Sequence, residues 1–115
     1  MSHILIVDDA SDILELASIG LEIAGHSFAT ASNSAEALQA LQGQPPDLIL
    51  LDYQLGAESG LDVLKQIQAV CQIPVVFLTA ATEAQPFLDA GAAGVINKPF
   101  DPMALGAQVA PWLAG

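Results

Sequence analysis

Positive charge is almost missing from this chain of 115 residues: Lys65 and Lys98 face 13 acidic residues, for a formal net charge of −11. Nucleic-acid binding rests on neutralising phosphates with Lys and Arg, so direct contact with DNA or RNA is excluded. An anionic lipid surface would be repelled for the same reason, whereas divalent cations would be attracted. Cysteine is nearly missing too. Cys71 stands alone, which rules out an intramolecular disulfide and fits a reducing, cytoplasmic setting. Long apolar runs are also lacking. Hydrophobic residues make up 53% of the chain and mean hydropathy is +0.53, but much of this is alanine. The longest uncharged stretch, 66–82, is interrupted by Gln68, Gln72 and Pro74, so no membrane span is expected. No basic segment leads into an apolar one at the start, so no secretory signal is read. The length fits one domain, able to bury roughly two-thirds of its unfolded surface in a single core.

What is present is an alternation of strand and helix signals. Residues 4–7 form a β-branched run ending in Asp8 and Asp9. Ser11 or Asp12 is placed to cap a helix carrying Ile13, Leu16, Ala17 and Leu21, stopped by Gly25. A weak second strand covers 27–31. Asn33 with Glu36 three residues on has the form of a capping box, and its helix ends at Gly43. After the loop forced by Pro45 and Pro46, residues 48–51 are a fully apolar strand ending in Asp52. Residues 60–71 have helical spacing through Leu61, Leu64, Ile67 and Val70. Residues 75–78 are a fourth apolar strand ending in Thr79, and a poor helix around Phe87 and Leu88 stops at Gly91. Val95 and Ile96 mark a fifth strand, followed by Lys98 and Pro99. Asp101 as cap and Pro102 at the first helical position open a last helix. Continuous apolar strands are buried on both faces, which predicts a parallel sheet with helices on each side. No repeat or linker interrupts the pattern.

Ligands of open parallel sheets lie beyond the carboxyl ends of the strands. Asp8 and Asp9, Asp52, Thr79 and Lys98 all fall at such ends, so topology brings them together. Three close carboxylates repel, and a hard cation such as Mg²⁺, with oxygen ligands and retained waters, removes that penalty. Lys98 adds a fixed positive charge and Thr79 a hydroxyl. Such a set suits a phosphoryl group in flight, with an aspartate as nucleophile.

The segments ILIVDD, LILLDYQLGAESGLDVL, VVFLTA and NKPF resemble the four signature blocks of two-component response-regulator receiver domains, in order, over essentially the whole chain. The fold this implies is α/β: a single-domain, flavodoxin-like (βα)5 arrangement whose five parallel strands run in the order 2-1-3-4-5, with helices on both faces. By the same resemblance Asp52 is the phosphoacceptor. Asp8, Asp9, Asp52 and the backbone carbonyl of Gln54 are metal contacts, for Mg²⁺ or alternatively Mn²⁺. Thr79 is the switch hydroxyl, Lys98 the phosphate-contacting lysine, and Gly60 the glycine leading into the third helix. The peptide bond between Lys98 and Pro99 matches one that is usually cis. The implied partners are a histidine kinase or histidine phosphotransfer protein and a downstream protein. The implied chemistry is self-phosphorylation and autodephosphorylation rather than enzyme turnover. Residues 1–115 read as one receiver domain with no output domain.

Several positions depart from the family. Val95 stands where many relatives carry an aromatic. The span from Thr79 to Lys98 is short and contains Pro86, which predicts a truncated fourth helix. Gly56 replaces a frequent proline, which predicts a looser loop. From Pro102 onward no side chain is charged, and Pro111 is expected to end or kink the helix. That face, with Leu105, Val109 and Trp112 nearby, is a candidate contact for a partner or for an apolar homodimer. An ion-paired dimer across the fourth helix, fifth strand and fifth helix lacks the cations it would need. Cys71 and Trp112 read as packing residues. His3 and His26 read as isolated, and Asp47, Asp62, Asp89 and most Glu residues as solvated. Two rivals remain at this stage. One is a phosphorylation-independent binding module that keeps the fold. The other is a flavin- or nucleotide-binding protein, which would need a glycine- or hydroxyl-rich loop where Asp8, Asp9 and Ala10 stand.

Overall fold

The four-residue run Leu48–Leu51 is wholly buried, and the reason is its place in the sheet. In the computed structural model, which describes residues 2–80, 83–98 and 100–113, five strands form one parallel sheet: β1 (His3–Val7), β2 (Ser27–Ala31), β3 (Leu48–Asp52), β6 (Val75–Thr79) and β7 (Gly94–Asn97), with two short strands, β4 (Gln54–Leu55) and β5 (Glu58–Ser59), apart from it. Their order is β2-β1-β3-β6-β7, the expected 2-1-3-4-5 arrangement. The helices are α1 (Ser11–Ile23), α2 (Ser34–Gln42), α3 (Gly60–Gln68), α4 (Gln85–Asp89) and α5 (Pro102–Leu113).

Side chains alternate across a strand, so each strand serves two cores. Ile4, Ile6, Leu48, Leu50, Val76 and Leu78 pack with Ala17 and Leu21 of α1 and Leu105 and Val109 of α5. Leu5, Val7, Ile49, Leu51, Val75 and Phe77 pack on the opposite face with α2, α3 and Phe87 of α4. Chain continuity therefore delivers every strand's carboxyl end to one edge of the sheet.

Local expectations hold at some helix ends and fail at others. The Asn33 side chain accepts from Glu36 N–H at 2.8 Å, but Glu36 Oε1 accepts from Ser32 N–H at 2.7 Å rather than from the cap residue itself. Asp101 accepts from Met103 N–H at 2.9 Å, as its capping place implies. Neither Ser11 nor Asp12 caps α1. The cap position is Ala10, whose methyl side chain offers no bond, and its own N–H donates to Asp8 Oδ1 at 2.9 Å. Helix α3 stops at Gln68 rather than at Cys71. Val70 is 64% exposed and so contributes nothing to the burial that would prolong it.

Helix α4 is truncated to five residues with Pro86 in its first turn, as expected. Helix α5, by contrast, runs through Pro111 to Leu113. Trp112 holds its last turn in place: the indole N–H donates to Ala93 O at 3.2 Å and the ring lies against Gly94. Cys71 packs against the core on the α3 side. Asp47 is more than a solvated face, since its carboxylate accepts His3 N–H at 2.9 Å.

Candidate functional site

The loop after β3 is ordered by a feature the sequence did not announce. Strands β4 (Gln54–Leu55) and β5 (Glu58–Ser59) form a two-residue antiparallel ladder. Gly56 turns the hairpin with φ +59°, a left-handed conformation that glycine adopts without strain. Its substitution for proline therefore builds a tight turn rather than a loose loop. A Cβ at Gly56 would lie 3.7 Å from Asp9 Oδ2, which places the turn directly over the acidic pair. Gly60 follows under tighter constraint. A Cβ there would lie 2.5 Å from the carbonyl oxygens of both Asp52 and Tyr53.

At the carboxyl edge of the sheet, Asp8, Asp9 and Asp52 each offer an oxygen, and the three oxygens lie within 4.8 Å of one another. Asp8 is fully buried and Asp9 is exposed. Lys98 Nζ donates to Asp8 Oδ2 at 3.0 Å and to Asp52 Oδ1 at 3.1 Å. Thr79 is also buried, at 4% exposure, and its carbonyl accepts Lys98 N–H at 2.8 Å. The four strand ends predicted to converge therefore do so around Lys98. Gln54 is exposed at the start of the hairpin, two residues after Asp52. Pro99 lies outside the described residues, so the expected cis bond does too.

The electrostatics follow from burial and charge. Burial pushes the Asp52 carboxyl above its ordinary range, Asp8 adds to the rise, and the hydrogen bond from Lys98 works against it. For Lys98 burial disfavours the charge, but bonds to Asp8 and Asp52 outweigh that and raise its pKa. Three carboxylates and one ammonium leave two negative charges, which matches one divalent cation. All the acidic donors are hard oxygens suited to Mg²⁺. On both counts the residues fit the ion.

Two further groups were not found by sequence reasoning. Tyr53, next to Asp52, meets Phe87 of α4 edge-on at 5.2 Å between ring centroids. Phe87 in turn meets Phe77 of β6 at 4.9 Å. Spacing alone does not pair a strand-end tyrosine with a five-residue helix. Glu58, not singled out in the sequence, binds Ser34 with both carboxylate oxygens; nothing short of the fold brings those two together. His3 and His26 take no part in the site. His3 bonds Ser27 Oγ through Nδ1 at 2.9 Å, and His26 Nδ1 accepts Ser2 N–H at 3.1 Å.

Comparison with known proteins decides the family. Residues 4–110 match the response regulator receiver domain model. The chain belongs to that family. The receiver is 39% identical to the transcriptional regulatory protein KdpE of Mycobacterium tuberculosis over 103 residues, covering 87% of this chain and 46% of that protein. It is 38% identical over 112 residues to the phosphate regulon transcriptional regulatory protein PhoB of Pseudomonas aeruginosa, covering 92% and 49%. The chain thus spans about half the length of the curated relatives it matches. Among solved structures, the receiver domain of NtrX from Brucella abortus superposes with a TM-score of 0.87 at 32% identity, covering 96% of this chain and 97% of that one. The chemotaxis response regulator CheY4 of Vibrio cholerae gives 0.89 at 30% identity, covering 98% and 99%. Among the described residues, no helix of the receiver is long and apolar enough to cross a membrane.

Proposed function

We propose that this receiver is a phosphorylation-dependent switch of a two-component system, with Asp52 accepting a phosphoryl group from the phosphohistidine of a histidine kinase or histidine phosphotransfer protein. The observation that carries the reading is the bridge from Lys98 to both Asp8 and Asp52, with the Asp9 carboxylate within 4.8 Å. Asp8, Asp9, Asp52 and the carbonyl of Gln54 would hold Mg²⁺, or Mn²⁺ on the same oxygen donors. When bound, the ion neutralises the cluster and the oxygens of the incoming group.

The chain's own residues do the rest. An Asp52 carboxylate oxygen attacks phosphorus, the P–N bond breaks, and the electron pair leaves with the imidazole. Lys98 shifts part of its bonding from Asp52 to a phosphoryl oxygen, and the Thr79 hydroxyl donates to another. In a separate hydrolytic step, water attacks phosphorus, the P–O bond to Asp52 breaks with its electron pair returning to the carboxylate, and the water's protons leave with inorganic phosphate or pass to solvent. Both reactions are self-modification, so the protein is a switch rather than a turnover enzyme.

The altered charge at Asp52 then changes a surface read by a downstream protein. Leu105 and Val109, expected beside the contact face, are buried in the core instead, so the uncharged side that α5 offers to such a contact or to a second copy of the chain is the one bearing Met103, 70% exposed. With 13 acidic residues against two lysines, the receiver itself is not expected to touch DNA or an anionic membrane. A cytoplasmic setting fits the lone Cys71. The alternative, a binding module independent of phosphorylation, draws on Val95 and on the five-residue α4.

Beryllofluoride with Mg²⁺, followed by NMR, separates the two readings. Wild-type amides around Asp52, the hairpin and Thr79 are expected to shift, and those of Asp52→Asn are not. Lys98→Ala should retain metal-induced shifts but lose most of the beryllofluoride response. Identical spectra for wild type and Asp52→Asn would favour the alternative.

A further inference from the structure

We propose that Glu58 is a positioning residue: it ties the β4–β5 hairpin to the amino end of α2 and so fixes the backbone around Gln54 and Gly56 over the carboxylate cluster. The inference rests on the metal-binding reading of that cluster and extends it to a residue that touches neither metal nor phosphoryl group.

Both oxygens of Glu58 are committed to one residue of another element. Oε1 accepts Ser34 N–H at 3.0 Å, and Oε2 accepts the Ser34 hydroxyl. The two bonds from Ser34, the hydroxyl's first, hold the Glu58 carboxyl below its ordinary range. Ser34 opens α2, where backbone N–H groups lack intrahelical acceptors and a negative charge is favoured. Asn33 satisfies one such group from within the chain segment, at Glu36. Glu58 satisfies another from across the molecule.

The hairpin needs such an anchor. A ladder of two residue pairs is too short to hold itself in water. Its inner anchor is Leu55, 3% exposed and part of the core. Leu55 pairs directly with Glu58 across the ladder, so the hairpin is pinned on one side by burial and on the other by the Ser34 clamp. Between the two pins lies the Gly56 turn, whose Cβ position would be 3.7 Å from Asp9 Oδ2, and Gln54 immediately precedes the Leu55 pin. Without Glu58 the hairpin keeps Leu55 and the Gly60 bond at its base but loses its tie to α2, which leaves the Gln54 and Gly56 backbone free to shift relative to the carboxylate cluster.

The test compares wild type, Glu58→Ala, Glu58→Gln and Ser34→Ala by amide hydrogen exchange on the metal-free protein and by calorimetric Mg²⁺ titration. In Glu58→Ala the amides of residues 54–59 are expected to exchange faster while those of β3 and β6 keep their protection. The Mg²⁺ dissociation constant should rise roughly tenfold, the low end for groups that hold a metal ligand in place. Glu58→Gln keeps an acceptor for Ser34 N–H and should fall between, as should Ser34→Ala. Wild-type protection of the hairpin in Glu58→Ala overturns the proposal, and so does an unchanged Mg²⁺ constant. A lowered melting temperature with both of these unchanged would make Glu58 a cap for α2 and nothing more. If wild type itself binds no Mg²⁺, the metal reading fails, and the exchange data alone decide whether the clamp exists.

Discussion

At the scale of single residues, Asp52 is held in a compromise. Burial disfavours its charge, Lys98 favours it, and the balance leaves the carboxyl above its ordinary value of 3.8. The folded state therefore holds the Asp52 proton more tightly than the unfolded chain does. By linkage, this group's contribution to stability is greatest below the ordinary value and declines as pH rises through the raised folded value. At neutral pH without divalent metal, Asp52→Asn is expected to melt above wild type, and the gap should close as pH falls into the ordinary carboxylate range. Added Mg²⁺ should reverse the order by stabilising wild type more, because an ion that binds only the folded state adds to its stability. Thermal melts across pH, with and without Mg²⁺, check both statements. Equal melting of the two proteins at neutral pH would contradict the account of Asp52.

At the scale of elements, the junction from hairpin to α3 is the part least able to yield. Gly60 N–H donates to Tyr53 O, and a Cβ at Gly60 would meet two backbone carbonyls at 2.5 Å. Backbone atoms cannot step aside as a flexible side chain can. Gly60→Ala is therefore expected to cost about 2 kcal/mol, within the range for overpacking, read as a lower urea midpoint with an unchanged slope. A midpoint equal to wild type would show that the junction relaxes freely. The same region marks where the sequence was legible and where it was not. The strand ends at Asp8, Asp52, Thr79 and Lys98 could be read because apolar runs stop there, and parallel topology does the convergence. The hairpin between Gln54 and Ser59 could not, because two-residue strands leave no periodicity and the function of Gly56 depends on φ alone. The end of α3 at Gln68 was missed because helical spacing continues to Val70 while burial does not. Of the two outcomes read for Pro111, an end to the helix does not occur; the contacts of Trp112 with Ala93 and Gly94, which lie far apart in sequence, were not legible.

At the scale of the whole molecule, a chain with a net charge of −11 concentrates three of its carboxylates at one edge of the sheet and sets one of its two lysines among them. The remaining lysine, Lys65, lies on α3, so positive charge is not available for pairing across α4, β7 and α5. The fold thus spends its scarce cation on the site, and that allocation makes sense if a phosphoryl group arrives there. The most direct check is acetyl phosphate with Mg²⁺, read by intact mass and then by peptide mapping after reduction of the acyl phosphate. The account predicts one added phosphoryl group per chain in wild type, mapped to Asp52, lost on chelation of the metal and absent from Asp52→Asn. Modification of another residue, or equal modification of wild type and Asp52→Asn, would contradict it.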